Sequence, residues 1–349
     1  MYEFLGVEIQ SPIIIGSGPL TYSAEGIKKL HENKAGLCVT KTIKLEAAVN
    51  PVPHMQMSEN KSLINDELWS DYNYETWINK ELPELKKSGI PVIASCGHSV
   101  EETSLMVEKL EKEGATFLEL VSYNEDDLLP MLLDTKKRVN IPIIVKLPSR
   151  VNNMVELAKT LEENGADALT ISDSIGPAMR INIDTGLSTL GNKSKGWLTG
   201  EAILPFNINN IYEVRKNIEI PIIGLGGVMS YKNAIEVFMA GANFVGVCTY
   251  PIIYGEKAIE KLVNQIEKWI VDNNYNSLEE IIGLIHRKTE SIVGEFKFNK
   301  DKCIKCKKCE IVCAYDARKV SEDMYLDKSK CRKCGLCSSI CPTTALEFY

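Results

Sequence analysis

Short apolar runs alternate with amphipathic stretches along the first 296 residues of the chain. The apolar runs are rich in β-branched residues, which is typical of buried strands. They predict eight strands, at residues 12–15, 36–43, 91–95, 116–121, 141–147, 168–172, 220–225 and 243–248. Between them, apolar residues recur at helical spacing and predict helices, among them residues 23–33, 100–113, 152–164, 231–240 and 256–273.

Eight strand–helix units in about 260 residues have the length and repeat count of a (β/α)8 TIM barrel. The competing topology, an open doubly wound sheet, is expected to carry a G-x-G-x-x-G turn after its first strand. Residues 15–20 read Ile-Gly-Ser-Gly-Pro-Leu and do not supply that turn. Two connections, 44–74 and 173–207, are far longer than is usual, and long loops at the carboxyl ends of barrel strands usually build active sites. We therefore predict an α/β fold of the barrel type, with its active site at this end.

Eight of the eleven cysteines lie in the last 47 residues, in two C-x2-C-x2-C-x3-C runs. In two-cluster bacterial ferredoxins this spacing gives three ligands to one 4Fe-4S cluster, and the fourth cysteine ligates the other cluster. A zinc site is the alternative for one such run, but two runs in tandem disfavour it. The predicted ligand sets are Cys303, Cys306, Cys309 with Cys341, and Cys331, Cys334, Cys337 with Cys313.

We therefore predict two domains, a barrel at 1–296 and a C-terminal bacterial-type ferredoxin domain with two 4Fe-4S clusters at 297–349. The C-terminal segment has 12 Lys and Arg against 7 Asp and Glu, a net charge of +5, whereas the remainder has 28 against 40, a net charge of −12. Such a basic domain could steer an acidic electron carrier to the clusters. Alternatively, its lysines are solvated surface that offsets the anionic clusters. Nucleic acid is not expected as a partner of so acidic a barrel.

Compartment and membrane association are judged from apolar stretches and thiols. The longest apolar stretches run for a few residues, far short of the roughly 20 that span a bilayer, so no membrane segment is predicted. The first ten residues, MYEFLGVEIQ, lack a basic region followed by an apolar one, so no signal peptide is expected. Oxygen-sensitive clusters together with free thiols indicate a reducing cytoplasmic location.

Small and cationic residues follow three predicted strands, at the end of the barrel where chemistry is expected. Gly16 and Ser17 follow strand 1 and would let a flat ring approach the backbone. Lys41 and Thr42 end strand 2, and Lys146 ends strand 5. A lysine inside an apolar strand is costly unless its charge is paired, so the two lysines indicate cations aimed at an electron-rich cofactor edge. The alternative is that both snorkel to solvent.

Glycine-rich turns follow strands 7 and 8. Gly226 and Gly227 end strand 7, and Cys248 and Thr249 end strand 8. Turns at these two positions bind phosphate through backbone N–H groups in many barrels. Taken with the two lysines, they predict flavin mononucleotide (FMN).

Five short segments carry a resemblance to known proteins: SG at 17–18, VTKT at 39–42, IN at 64–65, VKLP at 145–148 and GLGG at 224–227. They resemble the dihydroorotate dehydrogenase superfamily. The C-terminal domain resembles the one that accompanies the pyrimidine-reducing half of dihydropyrimidine dehydrogenase. Together these resemblances cover nearly the whole chain.

The resemblance implies FMN in the barrel mouth and assigns roles to individual residues. Lys41 is implied to lie near the flavin and the substrate, Lys146 at the pyrimidine edge of the flavin, and Asn65 on the substrate. The segment from Gly196 to Gly200 looks like the family's glycine-rich turn before the phosphate site.

The chain departs from the family after strands 4 and 6. The family typically reads Glu-Leu-Asn-x-Ser-Cys-Pro after strand 4, where the cysteine or serine exchanges a proton with the substrate. Here Val121 replaces the asparagine and Asn124 falls at the cysteine position. An amide cannot serve as that acid near neutral pH. Asp173 and Ser174 stand at the paired asparagine and serine after strand 6, so a less orotate-like pocket is expected, with Asp173 suiting an N–H donor or a positive charge.

Several residues could replace the missing acid. Tyr123 and Glu125 lie in the same loop. Cys96 and His98 are close enough in sequence to form a thiol–imidazole pair, although Cys96 could equally be a small buried hydrophobe. Lys41 is a further candidate. His31, His54 and His286 show no metal-ligand spacing, so no catalytic metal is expected.

The leading hypothesis is an FMN and iron–sulfur oxidoreductase that acts on a C=C bond of a small conjugated carbonyl or enamide, pyrimidine-like substrate. No second nucleotide-binding domain is evident, so an external electron partner is expected, either a ferredoxin or an NAD(P)H-oxidising flavoprotein subunit. One alternative is an electron-transfer subunit without substrate chemistry of its own. A tRNA-dihydrouridine synthase is another, which the acidic barrel disfavours. A homodimer is one possible assembly of the chain.

Overall fold

The computed structural model describes residues 2–191, 195–288 and 294–348. The chain divides into two compact units, Met1–Arg287 and Lys288–Tyr349. The sequence-based boundary between residues 296 and 297 stays a prediction. In the described residues, no helix has both the length and the apolar character needed to cross a membrane.

The first unit is a closed barrel of eight parallel strands, as predicted from the sequence. In chain order these strands, numbered 1 to 8 below, are Ile13–Ile15, Leu37–Val39, Val92–Cys96, Phe117–Val121, Ile143–Lys146, Ala168–Ile171, Ile222–Leu225 and Phe244–Val247. Each pairs in parallel with the next along the chain, and strand 8 pairs with strand 1. Strand 2 is shorter than its apolar run. The backbone N–H of Lys41 donates to the carbonyl of Thr21 instead of to a neighbouring barrel strand.

Helices follow the strands and cover the outside of the barrel. Their bounds are Ala24–Glu32, Tyr74–Thr76, Trp77–Glu81, Leu82–Lys87, Val100–Glu113, Glu125–Thr135, Met154–Glu163, Leu204–Arg215, Tyr231–Ala240, Thr249–Tyr254, Lys257–Asp272 and Leu284–Arg287. The five helices named from the sequence are all present. Ser99 and Ser230 show why two of them begin where they do, since each side chain accepts the backbone N–H three residues on.

The apolar core has two layers. The outer layer lies between strands and helices. The inner layer fills the barrel and includes Phe4, Phe117 and Phe244. Phe4 comes from a hairpin, Tyr2–Phe4 with Val7–Ile9, and its ring meets the other two edge-on at 5.1 and 4.9 Å between centroids. The hairpin therefore closes the barrel interior with an aromatic cluster.

The two long loops join into a four-stranded antiparallel sheet. The loop after strand 2 supplies Met55–Ser58 and Ser62–Asn65, and the loop after strand 6 supplies Ile175–Ala178 and Gly196–Gly200. Asn65 lies opposite Trp197 where the two loops meet. The predicted turn at 196–200 is therefore wrong, because the segment is a strand held by this pairing.

The second unit consists of two halves that repeat the same arrangement of strands and a short helix. The strand pair Phe296–Phe298 with Leu346–Phe348 is matched by the pair Arg318–Val320 with Met324–Leu326. The short helix Lys308–Ile311 recurs 28 residues later as Leu336–Ser339.

Replacing Phe117 with alanine should test the inner aromatic layer. The ring is fully buried, so we expect the change to lower the free energy of unfolding by about 3–5 kcal/mol, measured by urea unfolding. Leu105, which is 66% exposed, is the control, and its replacement by alanine should cost less than about 0.5 kcal/mol. Equal effects at the two positions would contradict the assigned core.

Candidate active site

A cavity of about 410 Å³ opens at the carboxyl ends of the barrel strands. Its volume is within the range of about 300–1,000 Å³ that is usual for cofactor and ligand sites. Every barrel strand, or the turn that follows it, contributes to the lining, represented in strand order by Ser17, Lys41, His98, Tyr123, Lys146, Asp173, Gly226 and Thr249. The antiparallel sheet adds Leu63, Asn65, Trp197 and Gly200. The long loops thus build part of this site, as the sequence predicted.

Lys41 is buried and paired with two carboxylates. Its Nζ lies 2.9 Å from Oε1 of Glu67 and 2.8 Å from Oδ2 of Asp71. Asp71 also accepts the side-chain amide of Asn50 at 3.0 Å. Since the Lys41 side chain is 3% exposed, it does not snorkel to solvent. The ammonium is held in place by the loop after strand 2.

Lys146 is also buried, and its carboxylates come from the barrel itself. Its Nζ lies 3.2 Å from Oδ2 of Asp173. Burial works to lower the pKa of Lys146, but the charges of Asp173 and Glu119 outweigh it, so the pKa lies above its ordinary value. Burial raises the pKa of Glu119, whose carboxylate accepts the Thr170 hydroxyl at 3.0 Å. Lys146 is therefore a fixed cation.

Aromatic rings form one wall of the cavity. Tyr123 stacks on Trp197 with 4.7 Å between the ring centroids. The imidazole ring of His98 also contacts Tyr123, with 5.3 Å between the two ring centroids. Burial and the nearby Asp173 carboxylate raise the pKa of Tyr123 to about 12, and burial lowers the pKa of His98. Half of the Tyr123 surface is exposed, which moderates this shift, but the phenol is protonated at neutral pH either way. The wall offers a hydroxyl donor and a neutral imidazole.

The turns after strands 7 and 8 supply free backbone donors. Outside the regular bonding of strands and helices, no hydrogen bond in the described chain has the backbone N–H of Gly226, Gly227, Cys248 or Thr249 as its donor. Gly227 has a φ of +91°, and a Cβ there would lie 2.4 Å from the Cα of Leu204, so the turn requires glycine. Unpaired N–H groups that line a cavity suit a phosphate, so this side of the cavity fits the phosphate of the predicted FMN.

Four sequence-predicted residues lie outside this cavity. Gly16 packs against Leu225, whose side chain a Cβ would meet at 2.9 Å. Cys96 is fully buried, burial raises its pKa to about 12, and among the described hydrogen bonds none joins it to His98. Asn124 caps the helix Glu125–Thr135, and Glu125 accepts the backbone N–H of Asn152 at 2.9 Å.

Asn124 and Glu125 do line a neighbouring polar cleft, which shares Tyr123, Asp173, Ser174 and Trp197 with the main cavity. The loop after strand 4 therefore presents Tyr123 to both spaces.

Sequence reasoning missed several residues that the structure brings to the cavity: Asp66, Glu67, Trp69, Ser172, Trp197 and Thr199. A signal existed for Asp66 and Glu67, because they directly follow Asn65 in a loop already predicted to build the site. No comparable signal existed for Trp197, whose position depends on strand pairing between two distant loops.

In the second unit, the eight clustered cysteines surround two cavities, four at each. Cys303, Cys306, Cys309 and Cys341 line one, which we call cavity A. Cys313, Cys331, Cys334 and Cys337 line the other, cavity B. The grouping is the one predicted from the ferredoxin spacing, with the fourth cysteine of each run crossing to the other set.

Comparison with protein families gives two matches. The profile of the dihydroorotate dehydrogenase family matches residues 1–270, and that of the 4Fe-4S dicluster domain matches residues 302–345. Each match falls within one of the two compact units.

Curated relatives align with most of the chain. The chain is 32% identical over 302 residues to dihydroorotate dehydrogenase B (NAD(+)), catalytic subunit, of Caldicellulosiruptor bescii, covering 81% of this chain and 98% of the relative. Proteins of the same name from Methanothermobacter thermautotrophicus and Thermoanaerobacter sp. strain X514 are 30% and 29% identical, each over 80% of this chain and 96% and 97% of the relative.

Replacing Asp173 with asparagine should show how much free energy it costs to bury Lys146 without its ion-pair partner. Lys146 would keep Glu119 as a charged neighbour but lose its direct ion pair, which lowers its pKa and destabilises the fold. We expect a loss of about 3 kcal/mol in the free energy of unfolding, measured by urea unfolding. Asp272→Asn, in an exposed pair with Lys268, is the control and should change stability little. A similarly small effect of Asp173→Asn would contradict the assigned pairing.

Proposed function

Because the chain belongs to the dihydroorotate dehydrogenase family and ends in a 4Fe-4S dicluster domain, we propose that it uses FMN and two 4Fe-4S clusters to reduce or oxidise a carbon–carbon double bond in a small, uncharged, pyrimidine-like ring. The chain is an oxidoreductase acting on CH–CH bonds, as its family and relatives indicate. The observation that carries the proposal is the cavity, in which phosphate donors, two fixed cations and an aromatic wall converge.

FMN would be held by residues from five strand ends. The N–H groups of Gly226, Gly227, Cys248 and Thr249 would take its phosphate, with Gly200 beside them. Ser17 and Thr42 line the same cavity, and Gly16 supports it through Leu225. Bound FMN supplies hydride transfer and links one-electron supply to two-electron chemistry. Lys146 and Lys41 place fixed positive charge at the cavity for the electron-rich part of the cofactor.

The cysteine sets would each hold one cluster. Cavity A has four sulfur ligands and cavity B has four, which is the requirement for two 4Fe-4S clusters. One-electron carriers of this kind need an external donor or acceptor. The names of the relatives describe catalytic subunits of NAD(+)-linked enzymes, which supports an NAD(P)H-oxidising flavoprotein subunit as that partner. A free ferredoxin is the other candidate.

Tyr123 is the residue we assign to proton transfer at the substrate. It presents a protonated hydroxyl to the cavity, and the aromatic contacts with Trp197 and His98 hold its ring. Cys96 is too deeply buried to take this role. Lys41 lines the cavity as well, but its ammonium is engaged by Glu67 and Asp71, so we assign it to positioning.

The charge of the cavity supports an uncharged substrate. Lys41 is paired with Glu67 and Asp71, and Lys146 is paired with Asp173. A further carboxylate, Asp66, also lines the cavity. A substrate carboxylate would find no unpaired cation among the described lining residues and would face this excess of negative charge.

Ring N–H donors, in contrast, match the available acceptors. Asp66 offers carboxylate oxygens and Asn65 offers an amide. The same acceptors would tolerate a positive charge on the ring. An uncharged pyrimidine-like ring therefore fits this cavity better than an anionic one such as orotate.

The function is tested anaerobically by reducing the purified holoprotein chemically and following flavin absorbance as candidate oxidants are added. Uracil or thymine should reoxidise the flavin, whereas orotate at the same concentration should not. Non-cyclic enamides test whether the ring is required. Faster reoxidation by orotate would contradict the assigned substrate class. No reoxidation by any compound, with flavin and clusters present, would favour an electron-transfer subunit without substrate chemistry. NADH alone should not reduce the protein.

Glu67→Gln is the matched variant for the charge argument. It removes one of the two carboxylates on Lys41, so a response to orotate should appear or strengthen. Glu59→Gln changes the same charge at an exposed site that does not line the cavity, and it should leave the responses to all compounds unchanged.

Tyr123→Phe should lower the rate of substrate-dependent flavin reoxidation by at least about 100-fold while flavin content is retained, because the ring stays and the proton donor is lost. In the wild type, the raised pKa of about 12 keeps the phenol protonated. Its ionisation should therefore not reduce the rate below about pH 10, as judged from a pH profile. Tyr254→Phe, at a tyrosine that does not line the cavity, is the control. An unchanged rate in Tyr123→Phe would remove Tyr123 from this role.

A further inference from the structure

The internal repeat of the second unit is broken at one buried position. With the 28-residue offset, Ala317 corresponds to Ala345 and Arg318 corresponds to Leu346. The two backbone positions are equivalent. Arg318 pairs with Leu326 in one antiparallel strand pair, and Leu346 pairs with Phe298 in the other. Arg318 is 2% exposed and Leu346 is 3% exposed. A buried cation therefore occupies the place that a leucine occupies in the other half.

Arg318 is surrounded by sulfur and an aromatic ring. Its Nε donates to Sγ of Cys337 at 3.0 Å, and its Nη1 to Sδ of Met324 at 3.0 Å. Its guanidinium carbon lies 4.5 Å over the ring of Phe296. The Nη2 group is buried and has no partner in the described residues, and no ion pair within them involves Arg318. A buried guanidinium without a carboxylate is costly unless another negative group compensates it.

Cavity B supplies that negative group once four thiolates and a cluster are present. Arg318 lines cavity B with Cys313, Cys331, Cys334 and Cys337. Leu346 lines cavity A at the equivalent place, with the other four cysteines. The two cluster sites therefore share a backbone plan and a ligand pattern but differ in one buried charge.

We propose that Arg318 raises the reduction potential of the cluster in cavity B above that of the cluster in cavity A. The proposal rests on the clusters of the proposed function. Reduction adds one negative charge to a cluster, and a buried cation that donates an N–H group to one of its sulfur ligands stabilises the reduced form more than the oxidised form. Arg318 is thus a tuning residue, and the cluster in cavity B is the one on which a single electron rests.

The other cations near the cavities do not cancel this difference. Lys305, Lys307 and Lys308 line cavity A, and Arg332 and Lys333 line cavity B, but all five are exposed. Water and salt screen exposed charges, whereas the charge of Arg318 acts inside the protein.

The test is an anaerobic redox titration of the full-length holoprotein, followed by electron paramagnetic resonance of the reduced clusters. The wild type should show two separate one-electron steps. Arg318→Leu makes the two halves alike at this position, so the higher potential should fall and approach the lower one. We expect the reduction equilibrium of that cluster to weaken at least tenfold, which is about 59 mV for one electron.

Arg332→Leu is the matched control, because it removes the same charge from the lining of cavity B at an exposed position. It should shift the potential clearly less than Arg318→Leu. Equal shifts in the two variants, or potentials unchanged in Arg318→Leu, would overturn the proposal. If Arg318→Leu does not retain its clusters, Arg318→Gln, which keeps a polar donor but loses the charge, replaces it, and wild-type potentials in that variant would overturn the proposal equally.

Iron and sulfide analysis of the wild type separates this proposal from the proposed function. Fewer than two clusters per chain would count against the proposed function. Two clusters that titrate together in a single step would leave that function intact and reject the role of Arg318, without any variant being needed.

Discussion

The charge of two buried lysines at the barrel mouth determines most of what this site can do. Lys41 and Lys146 sit at the ends of apolar strands, where an unpaired ammonium group would be too costly to bury. Each is therefore paired with carboxylates: Glu67 and Asp71 come from the loop after strand 2, and Asp173 from the turn after strand 6. The pairing fixes those loops over the barrel. It also leaves no unpaired cation in the described lining of the cavity. Charge, rather than shape, is therefore what separates the candidate substrates.

The sequence predicts the barrel well because the barrel depends on local patterns. Apolar runs of strand length and amphipathic stretches repeat eight times, and each predicted strand overlaps an observed one. Residues at strand ends are equally predictable, since a barrel brings all of its carboxyl ends together, and Ser17, Lys41, Lys146 and Thr249 all line the cavity. Cys96 shows the limit of this reasoning: it belongs to a strand, and whether its side chain faces the cavity or the core depends on strand geometry that composition does not reveal.

What the sequence could not predict depends on contacts between distant segments. The antiparallel sheet exists because residues 62–65 pair with residues 197–200, more than 130 positions away. That pairing brings Trp197 against Tyr123. In the sequence Tyr123 is one of several loop residues, whereas the stacking on Trp197 holds its ring at the cavity wall. This contact supports the role in proton transfer that we propose for Tyr123 rather than for Cys96 or Lys41.

The ferredoxin-like unit provides a comparison within one chain that the barrel does not. An isolated buried arginine could be explained by packing alone. In this unit the same backbone positions, left-handed residues and cysteine spacing occur twice, with Lys305 and Asp316 in one half matched by Lys333 and Thr344 in the other, all at positive φ. Features shared by both halves would place the ligands alike, so they would not make the two proposed clusters different. A difference between the clusters has to come from side chains that break the repeat. Among these, a buried charge has the largest effect on the energy of adding an electron. Arg318, donating to Cys337 where Leu346 contributes an alkyl group, is such a break.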